Sequence, residues 1–230
     1  MVPYSLPIVT VFDLDDTLYK ERDYVHSGMV AVWNFGQSLG LIPLFDTLES
    51  LGLDGGNGDF LGAICAHYGL PDTTKNALLW HYRLHQPAIE LHQVARQALD
   101  DALAGSKVVA VLTDGRSVTQ RLKLKALGLA DLPVFISEEY EAGKPSPVMF
   151  KKIEMRWPGC VYVYIGDNVT KDFIAPNELG WLTIGLRDDG RNVHSQSWVQ
   201  KSSNSPRYWI ESLDGIRDIV ATAFPEQGSH

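Results

Sequence analysis

Pro7-Ile8-Val9-Thr10-Val11-Phe12-Asp13-Leu14-Asp15-Asp16-Thr17 runs from an apolar stretch straight into a knot of carboxylates. The first six residues are rich in β-branched side chains and lack polar alternation, which predicts a strand covered on both faces. Asp13 and Asp15 follow at once. Residues two apart on extended chain point to the same side. Two carboxylates so placed repel, and one tends to keep its proton unless a cation lies between them. Hard oxygen ligands suit magnesium, which binds through few protein carboxylates and keeps water or phosphate in its other positions. For an isolated Asp-x-Asp, the alternative is a simple acidic turn.

Outward from this stretch, four more apolar runs read as buried strands: Lys107 to Leu112, Pro133 to Ile136, Val161 to Ile165 and Leu182 to Ile184. Amphipathic segments lie between them. Ser117 to Leu127 ends at Gly128, a good helix stop, and Ser146 to Arg156 carries Pro147 in its first turn. Strands alternating with helices predict an α/β fold with a parallel sheet and right-handed crossovers. The interval from about Lys20 to Ala95 breaks this rhythm. Val25 to Leu39, Phe60 to Tyr68 and Lys75 to Leu84 read as helices, with Gly52 to Gly58 as a loop. A crossover needs only about a dozen residues, so this interval is expected to be a small helical domain. The expected organisation is a core from residues 1–19 and 96–230, interrupted by a helical insertion at 20–95. Asp188 to Pro206 reads as a surface loop, Arg207 to Glu211 as an edge strand, and Leu213 to Ala223 as a helix.

Three further polar elements fall at or just after strand ends, where open parallel sheets bind ligands. Thr113 ends the second strand and opens Asp114-Gly115-Arg116-Ser117, a turn whose hydroxyl and backbone N–H groups can hold phosphate oxygens. Gly143-Lys144-Pro145-Ser146-Pro147 holds one lysine on a constrained backbone. Gly166-Asp167-Asn168-Val169-Thr170-Lys171-Asp172 follows the Val161 to Ile165 run; Asp167 could complete a metal site, and Asp172 could support it or pair with Lys144. Each alone is compatible with a plain turn or cap, but four in this order at strand ends are poorly explained by chance.

The chain has 230 residues, 45% hydrophobic and 21% charged, with a formal net charge of −8. This fits a folded globular protein of one or two domains. The acidic balance disfavours nucleic acid and anionic membranes as partners. No run approaches the roughly 18 apolar residues that span a bilayer. Without a signal peptide pattern, a cytoplasmic location is the default expectation. Cys65 and Cys160 read as buried thiols, and Trp33 and Trp80 as core. His81 and His85 could share a helix face but lack the Glu and third ligand of a zinc site. The terminal Gly-Ser-His reads as a disordered end.

In sequence order the four elements resemble the motifs of the haloacid dehalogenase (HAD) superfamily. Asp13-Leu14-Asp15-Asp16-Thr17 is similar to the family's Asp-x-Asp-x-Thr, Thr113 to its second-strand hydroxyl residue, Lys144 to its lysine before a helix, and Asp167 with Asp172 to its Gly-Asp motif. The likeness covers about residues 7–17 and 98–186. It implies a doubly wound, Rossmann-like core with an α-helical cap between the first two core strands. It also implies roles: Asp13 as nucleophile forming an aspartyl-phosphate, and Asp15 as acid and then base. Asp13, the backbone carbonyl of Asp15, and Asp167 would bind Mg2+. Thr113 and Lys144, with Asp114 and Gly115 in the same turn, would hold the phosphoryl group. Thr17 and Asp172 would support them, and Asp16 is left without a role.

The family's dehalogenases are understood to lack a residue equivalent to Asp15, so its presence favours phosphate esters. The resemblance thus implies a phosphomonoesterase acting on a small phosphorylated metabolite. Trp80 to Leu91, with Tyr82, Arg83, His85, Gln86 and Pro87, is similar to cap sequences of HAD-type sugar phosphatases. Arg116, Gln120 and Lys123 are similar to residues of phosphatases acting on nucleotides or sugars. A sugar phosphate is the first expectation and a nucleoside monophosphate the second. A sugar phosphomutase, a haloacid dehalogenase or a non-catalytic binding module are the other readings.

Overall fold

A computed structural model describes residues 6–43, 46, 59–193, 196 and 204–225. The Gly52 to Gly58 loop and the terminal Gly-Ser-His lie outside these. Among the described residues six strands form one sheet: β1 (Ile8–Phe12), β2 (Val108–Thr113), β3 (Val134–Ile136), β4 (Val161–Gly166), β5 (Leu182–Leu186) and β6 (Tyr208–Ile210). Their order is β3-β2-β1-β4-β5-β6, and every pairing is parallel. This is the expected doubly wound α/β sheet, with the last strand at its edge.

The helices are α1 (Glu21–Ser38), α2 (Phe60–His67), α3 (Asp72–Leu84), α4 (Gln93–Gly105), α5 (Ser117–Ala126), α6 (Ser137–Tyr140), α7 (Val148–Arg156), α8 (Ile174–Glu178) and α9 (Ile216–Ala223). Pro147 caps α7, where its missing N–H costs nothing.

The chain falls into two compact units. The sheet unit comprises residues 1–20, 91–117 and 131–230. Its core joins Val9, Val11, Ala110 and Leu112 to Phe135, Phe150, Ile153, Tyr164, Phe173 and Trp181. Burying each large side chain of this kind is worth about 1.5–3 kcal/mol, so the central strands are fixed by their two-sided apolar cover. Cys160 is buried here.

The helical unit comprises residues 21–90 and 118–130, so most of α5 belongs to it. Met29, Val32, Trp33, Ile42, Leu61, Ile64, Cys65 and Leu78 form its core. α1 and α3 approach closely at Gly28, where a Cβ would lie 2.2 Å from the Tyr82 ring. Trp80 differs from expectation: it is exposed, with the Arg83 guanidinium 5.3 Å from its ring centre. On the amphipathic α3 it faces solvent, which its apolar character alone did not reveal. No helix among the described residues is long and apolar enough to cross a membrane.

Candidate active site

The strand order reverses between β1 and β4: the chain winds from β1 through β2 to β3, then returns to β4 on the other side of β1. At such a switch point the carboxyl ends of neighbouring strands open a crevice. Asp13 lies one residue past β1, Asp167 one past β4, and Thr113 at the end of β2. The Asp13 N–H donates to Ile165 O at 2.8 Å, fixing the β1 exit against β4.

Asp13, Asp167 and Asp172 bring carboxylate oxygens within 4.8 Å of one another, and all three are buried. Lys144 Nζ lies 2.8 Å from Asp13 Oδ1 and 2.7 Å from Asp172 Oδ1, and donates to Tyr164 Oη at 3.1 Å. Lys144, Asp13 and Asp172 therefore meet in one buried cluster. The Lys144–Pro145 peptide is cis.

Asp172 is occupied on both oxygens. Oδ1 faces Lys144 and accepts from Tyr164 Oη at 3.4 Å, and Oδ2 accepts from the N–H groups of Asp167 (3.1 Å) and Asn168 (2.8 Å). Its contacts brace the β4 loop and the lysine. Gly166 makes room for this brace, since a Cβ there would stand 2.6 Å from Asp172 Oδ2.

The electrostatics follow from burial. Burial, with the neighbouring Asp172 charge, pushes the Asp13 carboxyl up to about 7 against the pull of Lys144. Burial and the charges of Asp172, Asp13 and Asp16 push Asp167 up to about 9. Burial disfavours the Lys144 charge, but Asp13 and Asp172 outweigh it and hold the ammonium well above its ordinary value. Three buried carboxylates thus share one directly paired ammonium, an excess of negative charge when all ionise. A divalent cation with oxygen preference fits that donor set, in which Asp172 is the carboxylate committed to Lys144 and to two backbone N–H groups.

Asp15 stands apart from the three-carboxylate group. Its Oδ1 accepts from the Tyr19 hydroxyl within the loop that follows β1. Thr17 Oγ1 donates to Asp167 Oδ1 at 3.3 Å. Thr113 is buried at the β2 tip and contacts Asp114 O at 3.4 Å. Asp114 and Gly115 brace loops: Asp114 Oδ1 accepts from the Lys144 N–H at 3.0 Å, Asp114 Oδ2 lies 3.3 Å from Lys171 Nζ, and the Gly115 N–H donates to Ser137 Oγ at 2.9 Å. The Asp114 side chain and the Gly115 amide are therefore engaged by neighbouring loops.

Several contributors escaped sequence reading. Tyr164 is a buried tyrosine in an otherwise apolar strand, and burial with the Asp172 charge keeps its phenol protonated far above its ordinary value. Asp16 adopts φ +57°, tolerable for aspartate, and its Oδ2 accepts from the Val193 N–H at 2.8 Å. Asn192 Nδ2 donates to Asp167 Oδ2 at 2.9 Å. Tyr164 had a signal, a hydroxyl in a two-sided apolar strand; Asn192 had none, because its partner lies 25 residues back.

In the helical unit, Lys123 and Gln120 are buried, and Lys123 Nζ lies 4.2 Å from the Tyr24 ring centre. His81 stacks on Phe35, and His85 contacts Tyr82 O and Ser27 Oγ.

Residues 9–180 match the family model described as haloacid dehalogenase-like hydrolase. The chain belongs to this family. HAD hydrolases generally use a divalent metal, in keeping with the acidic group. A glyceraldehyde 3-phosphate phosphatase of Methanocaldococcus jannaschii is 25% identical over 225 residues, covering 91% of this chain and 95% of that protein. Among solved structures, the magnesium-bound HAD-hydrolase YfnB of Bacillus subtilis superposes with a TM-score of 0.64 at 18% identity, covering 94% of this chain and 99% of that one. A 2-haloacid dehalogenase of Pseudomonas syringae pv. Tomato DC3000 gives 0.61 at 20% identity, covering 95% and 100%. HAD architecture is thus shared with dehalogenases as well, and the reaction must be argued from the site.

Proposed function

We propose that the protein is a magnesium-dependent phosphomonoesterase that works through a phosphoryl-Asp13 intermediate on a small sugar phosphate. The observation that carries this reading is the placement of Asp13. Its carboxylate is buried, paired with Lys144 and grouped with Asp167, and a second acid, Asp15, lies two residues further on, outside that cluster.

Asp13 attacks phosphorus as the bond to the leaving oxygen breaks, and Asp15 gives its proton to that oxygen. Asp15, now ionised, takes a proton from water as the water oxygen attacks phosphorus. The bond from phosphorus to Asp13 breaks, and phosphate leaves. Splitting one slow hydrolysis into two displacements is the benefit of a covalent nucleophile, and a carboxyl alternating as acid and base contributes about 10²–10⁴-fold. Lys144 and the Thr113 hydroxyl hold phosphoryl oxygens, since phosphoryl transfer depends chiefly on positioning and charge.

Asp13, Asp167 and the backbone carbonyl of Asp15 would hold magnesium, which would supply neutralising charge for the phosphoryl oxygens. Thr17 and Asp172 keep Asp167 and Lys144 in place. The helical unit takes the part of the cap, and its selection of the leaving group is part of the proposal. The name of the Methanocaldococcus relative supports a sugar phosphate of few carbons.

The test is a panel of sugar phosphates, nucleoside monophosphates and phosphorylated acids assayed for free phosphate, with magnesium and with EDTA. Release that requires magnesium and peaks on sugar phosphates supports the reading. Halide release from chloroacetate, or an isomeric sugar phosphate with no free phosphate, would replace it with dehalogenase or mutase chemistry.

A further inference from the structure

Asn192 lies in a stretch that reads as polar surface loop, yet it is buried and bonded at both ends of its amide. Its Nδ2 donates to Asp167 Oδ2 at 2.9 Å, and its Oδ1 accepts from Lys20 Nζ at 2.8 Å. An ammonium offers only donors, and an ionised carboxylate only acceptors. A flipped amide would set NH2 against the ammonium, so Lys20 dictates its orientation, with the amide NH2 turned toward Asp167. Lys20 is itself paired with Asp189 at 2.8 Å and is the last residue of the sheet unit before α1 begins.

The backbone around Asn192 is equally constrained. Asp188 Oδ1 accepts from the N–H groups of Gly190, Arg191 and Asn192 at 2.8, 3.0 and 3.0 Å. Gln196 Nε2 donates to Asp167 O at 2.8 Å and Leu186 O at 2.6 Å. The Val193 N–H reaches Asp16 Oδ2. The loop after β5 is therefore tied to the first and fourth motifs at three separate points.

We propose that Asn192, oriented by Lys20, is a positioning residue that holds the Asp167 carboxylate ready to receive the cation. This rests on the reading of Asp167 as a metal ligand. A donor on Oδ2, opposite the Thr17 contact on Oδ1, pins the rotation of the carboxylate. Loss of such outer contacts to a metal-binding carboxylate typically costs about 10–100-fold in metal affinity or activity.

The experiment is calorimetric titration of the full chain with magnesium chloride, alongside thermal melting in EDTA. Wild type is compared with Asn192→Ala, Lys20→Met, Lys20→Arg and Asp167→Asn. The expected result is a magnesium Kd raised about 10–100-fold in Asn192→Ala, a smaller rise in Lys20→Met, and recovery of most of that loss in Lys20→Arg. Lower EDTA melting temperatures with the magnesium Kd of the folded variants unchanged would mean a packing role only and overturn the proposal. If Asn192→Ala does not fold, the Lys20 pair decides: an unchanged Kd in Lys20→Met overturns it. If Asp167→Asn binds magnesium as tightly as wild type, the reading of Asp167 as a ligand has failed and takes this inference with it. That outcome is distinct from one in which Asp167 matters and Asn192 does not.

Discussion

Replacing Lys144 by methionine removes one charge from the middle of the acidic group while keeping much of the side chain's bulk. The ammonium is almost wholly inaccessible and makes two charged contacts, 2.8 Å to Asp13 and 2.7 Å to Asp172. Removing one partner of a buried pair costs about 3–5 kcal/mol, because the other charge is left buried and uncompensated. That is about 2.2 to 3.7 powers of ten in the folding equilibrium.

The cost must depend on pH. Without metal, Asp13 at about 7 and Asp167 at about 9 lie above their ordinary value of 3.8. The unfolded chain therefore loses these protons first, and stability falls as pH rises from about 4 through both folded values. Lys144 pulls both carboxyls down, so its loss widens the gap. The measurement is urea unfolding followed by tryptophan fluorescence in EDTA at pH 5 and pH 8. The deficit of Lys144→Met should be clearly larger at pH 8, where Asp13 of the wild type has ionised, than at pH 5, where Asp13 and Asp167 carry protons. Adding Asp172→Asn should return part of the lost stability and none of the activity. Equal deficits at both pH values, or a deficit below about 1 kcal/mol at pH 8, would refute the electrostatic account.

Other consequences can be checked independently. Asp15→Asn should lower phosphate release by about 10²–10⁴-fold while leaving magnesium-dependent melting intact, because the Asp15 side chain lies outside the three-carboxylate group; loss of the magnesium response would contradict this. Magnesium binding should expel protons from Asp13 and Asp167, so affinity should climb from pH 6 and level off above about 9. Titrations in buffers of different ionisation heat would show the proton release, and a pH-independent Kd would sink the idea. Gly166→Ala places a Cβ 2.6 Å from Asp172 Oδ2 and should destabilise by about 1–3 kcal/mol, with activity falling further than stability explains; a neutral melting curve and normal turnover would count against the brace.

Much of this was legible in the chain because strands buried on both faces announce themselves. Ile8 to Phe12 and Val161 to Ile165 needed only composition, and the polar residues at their tips followed from where parallel sheets end. Asp13, Asp167, Asp172 and Lys144 all stand at or near such tips, and they lie together in one buried group. α4, α6 and α8 were not singled out, the latter two because a helix of four or five residues is too short for periodicity to register. Trp80 was misplaced because an aromatic on an amphipathic helix can face either way. Asn192 and Gln196 were invisible for a different reason: their importance lies wholly in partners distant along the chain, and asparagine in a polar loop has no signature. The side-chain contacts of Asp114, which join loops, have no signature in its turn sequence either.

The central claim is that Asp13 carries the phosphoryl group during turnover. Acid quenching of the enzyme turning over a sugar phosphate with magnesium, followed by proteolysis and mass spectrometry, tests it most directly. The account predicts a hydroxylamine-labile phosphoryl group on the peptide containing Asp13, accumulating when Asp15 is replaced in a way that slows hydrolysis more than transfer, and absent from Asp13→Asn. Steady phosphate release with Asp13 never modified, or undiminished turnover by Asp13→Asn, would contradict it.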